Sequence, residues 1–152
     1  MDLCVVCRKG ACKVRKGVPL TVDAADHKFV VYLRALVCDH CGDVGYLGPD
    51  AERAYRNVAG ELARAGKVSG KSFRFMRLAL GLGLPDLSAL LDVSLNTLSR
   101  WEKERRAVDR TAWAILARIV LDELEGRDSM LDTLRRASSP RKLPKKVHVQ
   151  HP

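Results

Sequence analysis

Aromatic side chains are scarce, at 5% of 152 residues. Any core must therefore be mostly aliphatic, which a hydrophobic content of 47% allows. A chain of this length makes one domain or two small ones. It has no run of 18 apolar residues, so no membrane span and no membrane partner are expected. The start "MDLCVVCRKG" lacks a basic stretch followed by an apolar one, so no signal peptide is expected and a cytoplasmic protein is predicted. Also missing are a phosphate-binding Gly-rich loop and any Ser/His/Asp or Cys/His set in a recognisable arrangement. No enzyme is expected. The cysteine count is odd, at five, so complete disulfide pairing within one chain is excluded. In a reducing compartment, Cys pairs are more often metal-binding or catalytic than disulfide-forming.

Charge is abundant. The net charge is +9, and residues 126–152 hold seven Lys/Arg against two Asp. A basic chain suggests an acidic partner, nucleic acid first; a basic surface that only aids solubility is the plain alternative.

The pattern divides into four parts. Residues 1–48 read as a small β module. "HKFVVYLRALVC" places Phe29, Val31, Leu33 and Val37 at alternate positions, and "RKGVPL" and "VDAADH" supply turn residues around short apolar runs. Residues 49–66 read as a helix, with Pro49 in its first turn and Gly66 at its end. "GKVSGKS" reads as a linker. Residues 71–125 are helical in pattern. Residues 138–152, with three prolines and four Lys/Arg, read as a disordered basic tail.

Two Cys-x-x-Cys pairs, Cys4/Cys7 and Cys38/Cys41, fit the tetrahedral four-thiolate site that Zn²⁺ prefers. Two intervening residues let a tight turn aim both sulfurs at one ion, and Gly42 permits the chain to turn just after Cys41. Metal binding would also staple a module with few large apolar side chains. A rubredoxin-like iron site has very similar spacing. Thioredoxin-like chemistry needs a reactive pair at a helix start in a βαβ context, which is absent here. Cys12, His27 and His40 are possible replacement ligands. Four thiolates leave no open position for water, so the expected zinc is structural.

"FRFMRLALGLGLPDLSALLDVSLNTLSRWEKERR" divides into helical pieces at about 72–80, 85–91 and 95–104. Phe73, Met76, Arg77 and Leu80 share helical spacing in the first, and Leu98 and Trp101 face inward in the third. Asp92 suits the left-handed conformation in the turn, and Ser94 can cap the third piece. This is helix-turn-helix spacing. The opposite stripe of the third piece carries Asn96, Ser99, Arg100 and Lys103. Asn bonds adenine at N6 and N7, and Arg bonds guanine at O6 and N7. A solvated helix face is the plain alternative. Arg74, Arg77, Arg105 and Arg106 are candidate phosphate contacts. In "RTAWAILARIVLDEL" (110–124), Trp113, Leu116 and Val120 make one stripe and Ala112, Ile115 and Ile119 another. A helix apolar almost all round is buried on several sides, so its second stripe is expected to meet another subunit.

These features together resemble the MqsA-type antitoxins, over about residues 1–125. "CVVC" and "CDHC" match that family's zinc pairs, and "LNTLSRWEK" matches its recognition helix. The resemblance implies an N-terminal zinc domain that binds a ribonuclease toxin. It also implies an Xre-like helix-turn-helix domain that dimerises and represses its operon at a palindromic operator, reading bases with Asn96 and Arg100. Pro85, where a capping Thr or Ser is common, Glu104, where Gly often ends the recognition helix, and the tail beyond 138 depart from the family pattern. A stand-alone zinc-containing Xre-like regulator is the alternative. The expected fold is α+β: a zinc-bound β module and connecting helix over 1–66, an all-α five-helix helix-turn-helix domain over 67–137, and the tail. Expected metal ligands are Cys4, Cys7, Cys38 and Cys41. Expected DNA contacts are Ser94, Asn96, Ser99, Arg100 and Lys103.

Overall fold

The computed structural model describes residues 2–127 and 129–146. The fold is α+β, a three-stranded antiparallel sheet followed by six helices. Strand β1 (Cys12–Ala24) pairs with β2 (His27–Cys38), and β2 pairs with the short β3 (Val44–Tyr46). The β1–β2 hairpin turns on Ala25 and Asp26, with φ of 50° and 63°. Positive φ at both central residues matches the right-handed twist of the flanking strands.

"RKGVPL", expected to hold turn residues outside the strands, lies within β1. The register slips between Arg15 and Val18, where Gly17 takes φ 70°. A bulge with glycine in the left-handed region absorbs the extra residue. Pro19 is tolerated because β1 is an edge strand and lacks a neighbour on one side.

The expected alternation along β2 brings Phe29, Val31 and Leu33 to one face. Phe29 and Val31 pack with Val22 and Ala24 of β1 against Val58 and Leu62 of helix α1 (Gly48–Ala65). Helix α1 ends on Gly66 in the left-handed conformation (φ 70°). On the other face of β2, Val30 and Tyr32 are exposed.

Helix α2 (Gly70–Ala79) starts four residues after Gly66. It is followed by α3 (Leu84–Leu91), α4 (Leu95–Glu102), α5 (Arg110–Glu125) and α6 (Met130–Ser138). Their shared core contains Phe73, Met76, Leu87, Leu98, Trp101, Trp113, Leu116 and Val120. Ala59 and Ala63 of α1 join that core, so α1 packs on the sheet with one side and on helices with the other. Small residues permit this closeness: a Cβ on Gly60 would run into Leu124 of α5.

The packing of α5 departs from expectation. The sequence pattern predicts that its second stripe, Ala112, Ile115 and Ile119, meets another subunit. In this fold Ala112 and Ile119 are buried within one chain, and α5 packs on both α1 and α6. Ile115, the remaining residue of that stripe, is only half-buried. Beyond Ser138, residues 139–146 of the basic tail have no regular structure and are exposed. Residues 147–152 of that tail lie outside the described residues.

Candidate metal centre and nucleic-acid interface

Cys4, Cys7, Cys38 and Cys41 converge, with all four sulfurs within 4.8 Å of one another. Cys4 Sγ and Cys41 Sγ are 3.8 Å apart, and Cys7 Sγ and Cys38 Sγ are 3.6 Å apart. A disulfide would need about 2.05 Å. A tetrahedral ion with metal–sulfur bonds of about 2.3 Å separates its thiolates by about 3.8 Å. The observed spacing fits the second case, so these four residues could hold a metal ion.

The two pairs are built alike. Arg8 N–H donates to Cys4 O at 2.9 Å, and Gly42 N–H donates to Cys38 O at 3.1 Å. Arg8 and Gly42, each following the second Cys of its pair, have φ of 55° and 74°. Gly10 N–H donates to Cys7 Sγ and His40 N–H to Cys38 Sγ, both at 3.4 Å. Ala11 joins the pairs: its N–H donates to Asp39 Oδ1 at 2.9 Å, and its carbonyl accepts from Asp39 N–H at 3.1 Å.

Electrostatics favour a cation here. The amides of Lys9 and Gly10 hold the Cys7 thiol down at about 6. The Cys7 backbone likewise lowers Cys4. Cys41 receives help from the Asp43 amide, but burial and the neighbouring thiols outweigh it and push it up to about 12. Four thiolates in one site repel each other, and a bound divalent ion reverses that preference by deprotonating its thiol ligands. Burial, followed by the charge of Cys4, raises Cys12, so it remains a thiol outside the cluster. His40 is exposed, and His27 stacks edge-on against Phe29 at 4.7 Å. Neither His joins the four sulfurs.

The second candidate surface lies on α4. Asp92 takes φ 54° and ψ 45° at the end of α3, and the chain re-enters a helix two residues after Val93. Ser88 Oγ donates to Val93 O at 2.6 Å, which pins the turn. Ser94 caps α4 by accepting from Thr97 N–H at 3.2 Å, and its hydroxyl donates to Thr97 Oγ1 at 2.9 Å. Leu98 and Trp101 are buried, while Asn96, Arg100 and Lys103 are exposed and Ser99 is half-buried. Asn96 and Arg100 are one helical turn apart, so their side chains share a face.

Arg77 is not a surface phosphate contact. It is buried, with Nε 2.6 Å from Glu102 Oε1, Nη2 2.9 Å from Glu102 Oε2, and Nη1 donating to Leu82 O at 2.8 Å. Arg74, Arg105 and Arg106 are exposed. Glu104, standing where a helix-ending Gly is common, itself takes φ 57°.

Sequence reasoning missed several residues. Gly10 leaves no room for a side chain, since a Cβ there would lie 2.5 Å from Cys38 Sγ. Asp39 bridges the two Cys pairs, and its carboxylate also sits 3.6 Å from Lys13 Nζ. Leu95, at the first position of α4, is 48% exposed beside Asn96. Its signal was visible as a Leu immediately after the capping Ser. No protein-family model matches this chain, and no curated protein matches it.

Proposed function

We propose that this chain is a sequence-specific DNA-binding transcriptional repressor of helix-turn-helix type, with α4 as the recognition helix. The observation that carries the proposal is the division of α4 into two faces. Leu98 and Trp101 fix one face in the core, which leaves Asn96 in the first turn and Arg100 in the last turn exposed together on the opposite face. A recognition helix turns such a face to base edges, and its N-terminal residues, here Asn96, enter the major groove first. Asn96 suits adenine, Arg100 suits guanine, and Lys103 suits a phosphate. Helix α3 takes the place of the first helix, which crosses the backbone.

In this proposal the four-thiolate site holds a structural zinc that staples the sheet. The exposed Val30 and Tyr32 of β2, with Val14 of β1, give that sheet an apolar surface for a protein partner. The resemblance to MqsA-type antitoxins makes that partner a ribonuclease toxin, and a homodimer would set two α4 helices on a palindromic operator.

The test is a binding titration against a randomised duplex, with circular dichroism as the folding control. Asn96→Ala and Arg100→Ala should each relax base preference at one position per half-site and cost about 1–3 kcal/mol. If both variants select the same sequences as the parent with equal affinity, α4 is not the reader. Elemental analysis should find zinc; a red protein with thiolate-to-iron absorption would reassign the metal. Tyr32→Asp should abolish copurification with the adjacent gene's product while DNA binding persists. Its indifference would move the partner surface elsewhere.

A further inference from the structure

Residues 135–146, "RRASSPRKLPKK", contain six Lys/Arg and no Asp or Glu. Their position in the fold is specific. Asp122 Oδ2 accepts from Met130 N–H at 3.0 Å, and Ser129 Oγ accepts from Leu131 N–H at 3.0 Å, which fixes the start of α6. Leu131 is buried, and α6 lies against α3 and α5. The end of α6 meets the start of α3: Arg135 and Ser138 border the same hollow as Gly81, Leu82 and Asp86. The chain therefore leaves the folded body beside the end of α3 that, in the proposed reading, crosses the DNA backbone.

From Ser139 to Lys146 every residue is exposed. Pro140 and Pro144 stiffen this stretch toward extended polyproline geometry, at about 3.1 Å per residue, so it can reach about 25 Å. The cations have little to do within the fold. Arg135 lies 3.7 Å from Asp132, and among the described residues Arg136, Arg141, Lys142, Lys145 and Lys146 form no ion pair. Six like charges on one short segment repel each other, and a phosphate backbone relieves that repulsion by releasing its counterions.

We infer that residues 136–146 form a second, sequence-independent DNA contact that tracks the phosphate backbone flanking the bases read by α4. This rests on the proposed DNA-binding function. The contact supplies affinity and salt dependence, and base preference stays with Asn96 and Arg100.

The test compares the full chain with a full-length variant carrying Arg141→Ala, Lys142→Ala, Lys145→Ala and Lys146→Ala. Both are titrated with a 30-base-pair duplex of the sequence the full chain selects from a randomised library, across a NaCl series. Each lost phosphate contact removes about 0.9 from the slope of log affinity against log salt, so the variant's slope should be shallower by about 3 to 4. Selected sequences should be the same, and equal thermal unfolding checks the fold. A variant that keeps the parent's slope while the parent selects a sequence overturns the tail contact alone. A parent that binds no duplex overturns the DNA-binding function, and the tail contact with it.

Discussion

Arg77 and Glu102 meet through two hydrogen bonds, of 2.6 and 2.9 Å, with both side chains more than nine-tenths buried. The pair ties the last turn of α2 to the last residue of α4, and the third Arg77 bond holds the loop at Leu82. It thus fixes the angle at which α4 leaves the core. Burying two charges costs desolvation that their attraction only partly returns, but removing one partner strands the other. Glu102→Ala should therefore destabilise by about 3–5 kcal/mol. The paired change Arg77→Met with Glu102→Leu should recover most of that loss. Urea unfolding of Arg77→Met, Glu102→Leu and their double measures the coupling, and additive effects would show that the pair contributes no mutual stabilisation.

Gly70 lies against the other side of the same helix end. A Cβ there would collide with the Trp101 carbonyl oxygen and come within 2.8 Å of Glu104 Cγ. Ala in place of Gly in the middle of a helix gains about 0.5–1 kcal/mol, an upper bound for Gly70 at the first position of α2. Overpacking against backbone costs about 1–3 kcal/mol. The collision involves a main-chain atom of α4, which moves only if the helix moves, so the second effect should win. Gly70→Ala is expected to lower the urea midpoint and, under the proposed function, to weaken DNA binding. A raised midpoint would mean that α4 yields easily.

The two Cys pairs use the same turn with different residues at its end. Gly42 accepts φ 74° without cost, whereas Arg8 at φ 55° has a Cβ that opposes it. A left-handed residue with a side chain costs about 1–2 kcal/mol, against about 0.5–1 kcal/mol of extra backbone freedom for Gly in the unfolded chain. Arg8→Gly should therefore slow metal loss to a chromophoric chelator, and Gly42→Ala should hasten it. If both variants release metal at the parent's rate, backbone strain at these positions does not govern the site.

The features legible in the sequence were local. Cys-x-x-Cys spacing, the alternation of Phe29, Val31 and Leu33, the glycine stop at Gly66, Asp92 in the turn and the Ser94 cap each depend on residues within a few positions. What escaped depends on distance along the chain. Arg77 sits at helical core spacing but is 25 residues from Glu102, so its charge suggested DNA when its partner was internal. "GKVSGKS" has linker composition, yet Ser69 caps α2 and Gly70 is a packing contact with α4. Strand β1 was obscured by Lys, Gly and Pro, which its bulge and free edge accommodate. Helix α6 is short and polar, and its start depends on Asp122 in the preceding helix.

Arg34 and Asp50 give a pH dependence whose sign can be worked out. Arg34 Nε and Nη2 donate to the two Asp50 oxygens at 2.9 and 3.1 Å, joining β2 to the first turn of α1. The Arg34 guanidinium holds the Asp50 carboxyl below its ordinary 3.8, against the opposing effect of burial. A carboxyl lowered on folding stabilises the fold above its unfolded value, and that contribution disappears as pH falls through the folded value. Arg34→Met removes the guanidinium and leaves Asp50 mostly buried, so it should destabilise at neutral pH. The gap between parent and variant should be full at neutral pH and close only as pH falls below 3.8, through the lowered value at which the folded carboxyl takes up its proton. Acid would also release a metal held by the four cysteines, but both chains share that loss and it cancels in the difference. Thermal unfolding midpoints along a pH series measure the gap, and a gap that persists unchanged to pH 2 would show that this ion pair does not link the sheet to α1 energetically.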